Sequence, residues 1–204
     1  MKNKQTEEII KLVSPHWKGL HFSHTQLDQF IELFLGAKPK YILETGFGTG
    51  TSSLTMCCAS KIANAPEEAP IIAISVSLQE GLFNGVGDGA QRYLEENFNF
   101  KLTIGRSDEV LTSSFFDESY PKGIDFFFVD GGHSYNECLG DLNAGFPYMN
   151  KGGTIAIDDY HSLARPLEDV DRAVDDFYAA NVAQLGKEFV QLSDGKGVCL
   201  LKKL

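Results

Sequence analysis

The sequence predicts a single α/β domain: a mostly parallel, seven-stranded sheet with helices on both faces and an antiparallel hairpin at the C-terminal end. Three observations carry this expectation. Short, wholly apolar segments alternate with segments of helical period, and strands apolar on both faces belong in a parallel sheet covered by helices. The first of these strands runs directly into a glycine-rich stretch that opens a helix. The last two strand-like segments are joined by Ser193-Asp194-Gly195-Lys196-Gly197, a hairpin signal.

The elements follow in order. Ser23 and Gln26 stand at capping-box spacing, Leu27, Phe30, Ile31, Phe34 and Leu35 line one face of the helix after them, and Gly36 reads as its stop. Residues 1–36 are expected to form a helical cap on one domain that spans residues 1–204. Within that cap, Pro15-His16-Trp17-Lys18-Gly19-Leu20-His21-Phe22 reads as packed cover, with a lid over the substrate as the alternative. Tyr41-Ile42-Leu43-Glu44 is the first strand, residues 51–62 a helix rich in small side chains, and residues 71–76 a buried strand. A helix over residues 89–98, a strand over 100–104 and a very apolar strand over 124–129 come next. Cys138, Leu139, Leu142, Phe146 and Met149 give residues 136–149 helical spacing, with Pro147 distorting the last turn. Residues 154–157 form a buried strand, residues 167–178 a helix facing inward through Leu167, Val170, Val174 and Phe177, and residues 188–192 and 198–201 the hairpin. No repeat or linker interrupts the alternation, which argues for one domain.

Composition narrows the partners. With 18 basic and 28 acidic side chains the formal net charge is -10, so phosphate backbones and anionic lipid are repelled, and neither nucleic acid nor membrane is expected as a partner. Association into a homo-oligomer is compatible with this composition. A domain of this length buries roughly 70% of its unfolded surface and needs no metal or disulfide staple to fold. Cys57, Cys58, Cys138 and Cys199 form no CxxC pair and sit among apolar or small residues, which points to buried reduced thiols in a cytoplasmic protein. Residues 1–11 are charged and lack the apolar stretch of a secretory signal, and no segment is apolar enough to span a bilayer.

The glycine-rich stretch is Glu44-Thr45-Gly46-Phe47-Gly48-Thr49-Gly50. Glycines there let the backbone turn sharply and approach a ligand, while the next helix offers free N–H groups. Gly46, Gly48 and Gly50 are spaced GxGxG, Thr51 stands where a dinucleotide-binding loop has its third glycine, and Glu44 lies two residues before the first. The stretch resembles motif I of the class I S-adenosylmethionine-dependent methyltransferases. That resemblance implies a Rossmann-like fold of that class, of which the terminal hairpin is a shared feature. It also implies that the loop passes under the methionine part of the cofactor, with Glu44, Gly46, Phe47, Gly48, Gly50 and Thr51 as binding residues. The family's acid at the end of the second strand is absent: Ile74-Ser75-Val76-Ser77 leaves Ser75 as the ribose candidate, with Glu80 near in sequence as a substitute. Serine offers only a neutral hydrogen bond. Ser107, in Gly105-Arg106-Ser107-Asp108, stands where family members contact the adenine, although the same four residues also read as a plain polar turn.

Two further segments carry acids to strand ends: Phe126-Phe127-Phe128-Val129-Asp130-Gly131-Gly132-His133-Ser134-Tyr135, and Gly152-Gly153-Thr154-Ile155-Ala156-Ile157-Asp158-Asp159-Tyr160-His161. Neighbouring strands lie about 5 Å apart, so Asp130, Asp158 and Asp159 can converge. Carboxylates brought together repel, which favours a retained proton or a divalent cation; hard oxygen donors suit Mg2+, Mn2+ or Ca2+. The same acids also read as a helix N-cap (Asp158 or Asp159) and a turn acid (Asp130).

Together these segments resemble a branch of small-molecule O-methyltransferases with Asp-Gly-x-His-Ser-Tyr followed by a Gly-Gly strand ending in Asp-Asp-Tyr. The similarity runs from about residue 25 to residue 177. It implies that Asp130, Asp158 and Asp159 hold a divalent ion, as in metal-dependent relatives. Some relatives have an Asp, assigned as the base, where this chain has Gly132, so that role does not carry over. Catechol-type methyltransferases place a basic lysine three residues after the equivalent of Asp130, which is the spacing of His133. An imidazole with an ordinary pKa near ~6.5 accepts a hydroxyl proton at neutral pH. A histidine after a strand also serves as a helix cap or bonds a carbonyl, and that reading stays open for His133 and for the similarly placed His161. Tyr135 and Tyr160 read as packing or pocket wall.

The expected activity is methyl transfer from S-adenosylmethionine to a hydroxyl of a small molecule, assisted by Mg2+ or another divalent cation, with Asp130 and His133 as catalytic residues. A non-catalytic binding protein on the same scaffold is the main alternative, kept open by the serines of the second strand and by Gly132. An NAD-dependent oxidoreductase is disfavoured by Thr51 and the same missing acid.

Overall fold

A computed structural model describes residues 4–16, 23–64, 72–77, 88–163 and 166–204 of the chain. Its first helix, α1 (Lys4–Val13), is short and amphipathic, with Thr6, Ile9 and Val13 buried. It lies in the expected helical cap, but the charge of this segment hides its three inward positions, so its bounds and buried face were not legible in the sequence. Helix α2 (His24–Ala37) begins with the expected capping box: Ser23 and Gln26 each accept from the other's backbone N–H. Gly36 does not end it. The helix runs one residue further, and Lys38 at φ 46° makes the left-handed exit, its N–H donating to Phe34 O.

Strand β1 (Tyr41–Thr45) leads to α3 (Thr51–Ala63), then β2 (Ile72–Ser77), α4 (Asp88–Asn97) and β3 (Asn99–Ile104). Two short helices not expected from sequence, α5 (Ser107–Val110) and α6 (Ser113–Ser119), precede β4 (Ile124–Val129). Helix α7 (Tyr135–Gly145) stops earlier than its apolar spacing suggests, because Pro147 sits in a 3-10 turn, Phe146–Tyr148. The following strand β5 (Met149–Asp158) therefore starts well before the apolar run that marked it. Helix α8 (Glu168–Asn181) leads to the hairpin of β6 (Leu185–Gln191) and β7 (Gly197–Lys203).

The sheet order is β3-β2-β1-β4-β5-β7-β6, with parallel pairing from β3 to β5 and antiparallel pairing of β7 with both β5 and β6. Alternate residues of each central strand enter two different cores. Leu43, Phe127, Val129, Ile155 and Ile157 join Phe116, Leu142, Val174 and Phe177 beneath α6, α7 and α8. Ile42, Phe126, Phe128 and Ala156 join Ile9, Phe30, Phe34 and Leu54 beneath α1, α2 and α3. This period of two explains why the strands read as continuous apolar runs.

Helix α3 is buried on all sides from Thr51 to Ser60, since α1 and α2 pack over it. Its small residues permit that close approach, and their hydroxyls are satisfied locally: Thr55 Oγ1 donates to Thr51 O at 2.7 Å and Ser60 Oγ to Pro39 O at 2.6 Å. All four cysteines are buried and unpaired, and burial pushes the thiols of Cys58, Cys138 and Cys199 up to about 12. Among the described residues, no helix is long and apolar enough to cross a membrane.

Candidate active site

From β1 the chain builds outward to β2 and β3, then returns to the other side of β1 with β4. In open α/β sheets the crevice at such a reversal, outside the carboxyl ends of the strands, is where ligands bind. A pocket of about 360 Å³ opens there. Thr45, Gly46, Phe47, Gly48, Thr49, Thr51 and Ser52 line its floor, and Val76, Ser77 and residues 105–108 one wall. Residues 130–133 and Asn136, Glu137, Gly140 and Asp141 of α7 form the other.

The floor is shaped by close backbone contact. Gly46 N donates to Val76 O and Asp130 N to Thr45 O, both at 2.9 Å, which ties the loop to β2 and β4. Gly46 has φ 93°, and a Cβ there would lie 1.8 Å from Asp130 O; any side chain would push the two strand exits apart.

The expected site residues divide by their place in the fold. Gly46, Phe47, Gly48, Thr51, Ser107, Asp130 and His133 line the pocket, whereas Glu44, Gly50 and Ser75 are not among its described lining. Glu44 points from β1 toward α3, is 1% exposed, and accepts hydrogen bonds from the Ser52 and Ser53 hydroxyls. Burial raises its pKa to about 7 against the pull of those two serines and of Ser75. Ser75, paired in register with Glu44, lies near enough to exert that pull, yet its Oγ is outside hydrogen-bond geometry. The serine that reaches the pocket from β2 is Ser77. Glu80 and most of the aromatic run at residues 15–22 lie outside the described residues; the His16 ring packs tilted against Tyr93, ring centroids 4.5 Å apart.

The acids of β4 and β5 do converge, with two basic side chains among them. His133 Nε2 lies 3.8 Å from Asp130 Oδ1 and 3.4 Å from Asp159 Oδ2. Lys196 Nζ lies 2.5 Å from Asp158 Oδ2 and 3.7 Å from Asp159 Oδ1. Burial and the Asp158 carboxylate raise the pKa of Asp130, although a quarter of its side chain (24%) opens to the pocket, which weakens the burial contribution. Burial raises Asp158 too, with Lys196 pulling it back. Among the described residues, no group of three His, Cys, Asp or Glu side chains has the spacing to hold a metal ion.

The other candidates pair with acids of α8. His161 Nδ1 pairs with Asp171 Oδ2 at 2.9 Å, Tyr160 OH donates to Asp175 Oδ1 at 2.8 Å and Tyr135 OH to Asp176 Oδ2 at 2.9 Å, all directed onto α8. At Gly132 a Cβ would fall 2.4 Å from the Glu137 side chain, which accepts from Ser134 in a second capping box. The room for an acid at position 132 is therefore filled by Glu137.

Three residues were missed. Asp141 lies on the buried face of α7 with Cys138, Leu142 and Gly145, where an acid in an apolar stripe was the available signal. Among the described residues its Oδ2 and the Oγ1 of Thr45, both in residues that line the pocket, have no partner within hydrogen-bond geometry, and burial raises its pKa while Ser107 and Thr45 draw it down. Ser77 was passed over for Ser75. Lys196 was read only as a turn residue, although an antiparallel β7 beside β5 must begin at the edge where the acids sit.

A family model described as a methyltransferase domain matches residues 43–160 of the chain. An uncharacterized protein of Acanthamoeba polyphaga mimivirus is 29% identical over 159 residues, 66% of this chain and 71% of that protein. Tricin synthase 2 of Oryza sativa subsp. japonica is 26% identical over 213 residues, 100% of this chain and 70% of that protein. An O-methyltransferase from Bacillus cereus, solved in complex with SAH, superposes with a TM-score of 0.67 at 17% identity and covers 100% of this chain and 92% of its own. The matched span runs from β1 through the glycine loop, the pocket and the acids of β5, and places the chain in the methyltransferase domain family.

Proposed function

We propose that this chain methylates a hydroxyl oxygen of a small molecule with S-adenosylmethionine as donor. The observation that carries the reading is the pocket: its glycine floor, its buried acceptors and its acid–histidine rim share one crevice at the sheet reversal. The Bacillus cereus structure, an O-methyltransferase in complex with SAH, points the same way.

The residues present suit the donor. A pocket of about 360 Å³ is in the range of small-ligand sites. Asp141 and Thr45, both in the lining, offer a carboxylate and a hydroxyl to an adenine amine or ribose hydroxyl. Gly46, Phe47, Gly48 and Thr51 would cradle the methionine part, Ser77 the ribose, and Ser107 with Asp141 the adenine. Glu44 and Gly50 support the loop from behind. When bound, S-adenosylmethionine supplies an electrophilic methyl group on a sulfonium, which departs as the C–S electron pair returns to sulfur.

The chain's own contribution is alignment, charge and proton transfer. Asp130 sets a carboxylate at the pocket rim, where it favours a cationic ligand. His133 Nε2 faces the same rim between Asp130 and Asp159, and accepts the acceptor's hydroxyl proton as the oxygen attacks. The Asp130 and Asp159 carboxylates then stabilise the imidazolium. Divalent assistance through Asp130, Asp158 and Asp159 does not fit this arrangement, because the Lys196 ammonium already lies against Asp158 and Asp159, so no step is assigned to a metal.

The test is calorimetric titration of S-adenosylhomocysteine, followed by turnover on a panel of phenolic and sugar hydroxyl acceptors. Saturable one-site binding is expected, and His133→Gln should retain it while losing roughly 10²- to 10⁴-fold in turnover. Absence of binding in the folded protein overturns the proposal.

A further inference from the structure

The carboxylates gathered at the ends of β4 and β5 repel one another, and the chain brings a cation of its own to them. Lys196 immediately precedes β7, and because β7 runs antiparallel to β5 with Val198 opposite Asp158, that residue must lie at the C-terminal edge of β5. The side chain is only 13% exposed, and its Nζ contacts Asp158 Oδ2 at 2.5 Å with Asp159 Oδ1 at 3.7 Å.

Its backbone is fixed from several sides. Gln26 Nε2 donates to Ser193 O and Ser193 N to Gln29 Oε1, each at 2.8 Å, which anchors the turn to α2. Leu192 N donates to Lys196 O at 2.7 Å, and Leu163 N to Gly195 O at 2.8 Å. The ammonium is thus presented on a clamped turn, and no rearrangement is needed to bring it to the acids.

A divalent ion binds carboxylate oxygens at about 2.0–2.6 Å. At Asp158 Oδ2 it would share an oxygen with an ammonium already 2.5 Å away, and the two cations would repel. Asp159 is engaged from its other side by His133. The remaining oxygen, Asp158 Oδ1, is buried without a hydrogen-bond partner among the described residues, an acceptor in excess of the donors described there. That excess fits a site built for a cation and filled by a monovalent one.

We propose that Lys196 is the built-in cation of this site: it stands in for a divalent ion, holds Asp158 and Asp159 in place, and through them sets Asp130 and His133 at the pocket rim. Only the last clause rests on the methyl-transfer reading. Lys196 is not part of the described pocket lining and acts through the acids, which makes it a positioning residue.

Calorimetric titration of MnCl2 into the metal-stripped full chain tests this without a methyl acceptor. The unmodified protein and Lys196→Arg should show no saturable binding at millimolar Mn2+. Lys196→Ala should bind one Mn2+ at least ten-fold more tightly, and adding Asp158→Asn should abolish the gain. Saturable Mn2+ binding by the unmodified protein that Asp158→Asn removes would overturn the proposal, and that arm requires no lysine variant to fold. A Lys196→Ala protein with an unchanged circular dichroism spectrum and no Mn2+ site would overturn it equally. S-adenosylhomocysteine titration of the same samples reports on the methyl-transfer reading separately, so the two can fail independently.

Discussion

Glu44 shows how a residue can belong to a motif and yet not line the pocket. Strand alternation sends Thr45 to the pocket and Glu44 to α3, where burial raises its pKa to about 7 from 4.5. An acid raised on folding is favoured in its protonated form, so its cost is absent below pH 4.5 and fully developed above about pH 7. In Glu44→Gln that cost is removed. Relative to the unmodified protein, the variant should gain at most about 3 kcal/mol in urea unfolding between pH 5 and pH 8. The comparison isolates Glu44 from other raised acids such as Asp130 and Asp158, and parallel pH profiles would refute the assignment. The GxGxG spacing and the neighbouring acid were legible, but which face the acid takes depends on register with β2 and β4. Asp141 is the reverse case: no motif marks it, and only its place on a buried helix face reveals it.

At the scale of elements, caps were legible where both partners lie a few residues apart, and distant contacts were not. Ser23 and Gln26 announce the start of α2 by spacing alone, whereas the bond from Gln26 Nε2 to Ser193 O joins residues far apart in the chain and depends on packing. Gln26 therefore serves two elements with one side chain. Gln26→Ala should cost about 1–2 kcal/mol by denaturant unfolding, the combined loss of a cap partner and a part-buried hydrogen bond. Gln91→Ala, which breaks only an exposed bond to Glu95 one turn along α4, should cost about 0.2–0.5 kcal/mol. Equal effects would mean that the turn carrying Lys196 is not clamped by α2. The short helices α5 and α6 escaped sequence reading because four and seven residues carry too little periodicity to register.

For the whole molecule, the mostly parallel sheet with its terminal antiparallel hairpin was legible from the alternation and the turn at residues 193–197, whereas the strand order comes from the packing, and the pocket follows from that order. The pocket's contents were less legible, since they combine ends of four strands with one face of α7. That convergence has a thermodynamic consequence. A ligand seated there bridges β1, β2, β3 and β4 across the reversal, where two cores meet only through the sheet. Binding to the folded chain alone should stabilise it globally: at a hundred-fold excess over Kd the gain is about 2.7 kcal/mol. For a domain of this size that corresponds to a rise in Tm of roughly 5–11 °C. Differential scanning calorimetry with S-adenosylhomocysteine should show one transition moving intact. If the donor bound only the loop and α3, the transition would instead split, with the half of the sheet beyond β4 melting at its unliganded temperature. A single shifted peak would establish that the two cores unfold as one cooperative unit through the strands that form the site.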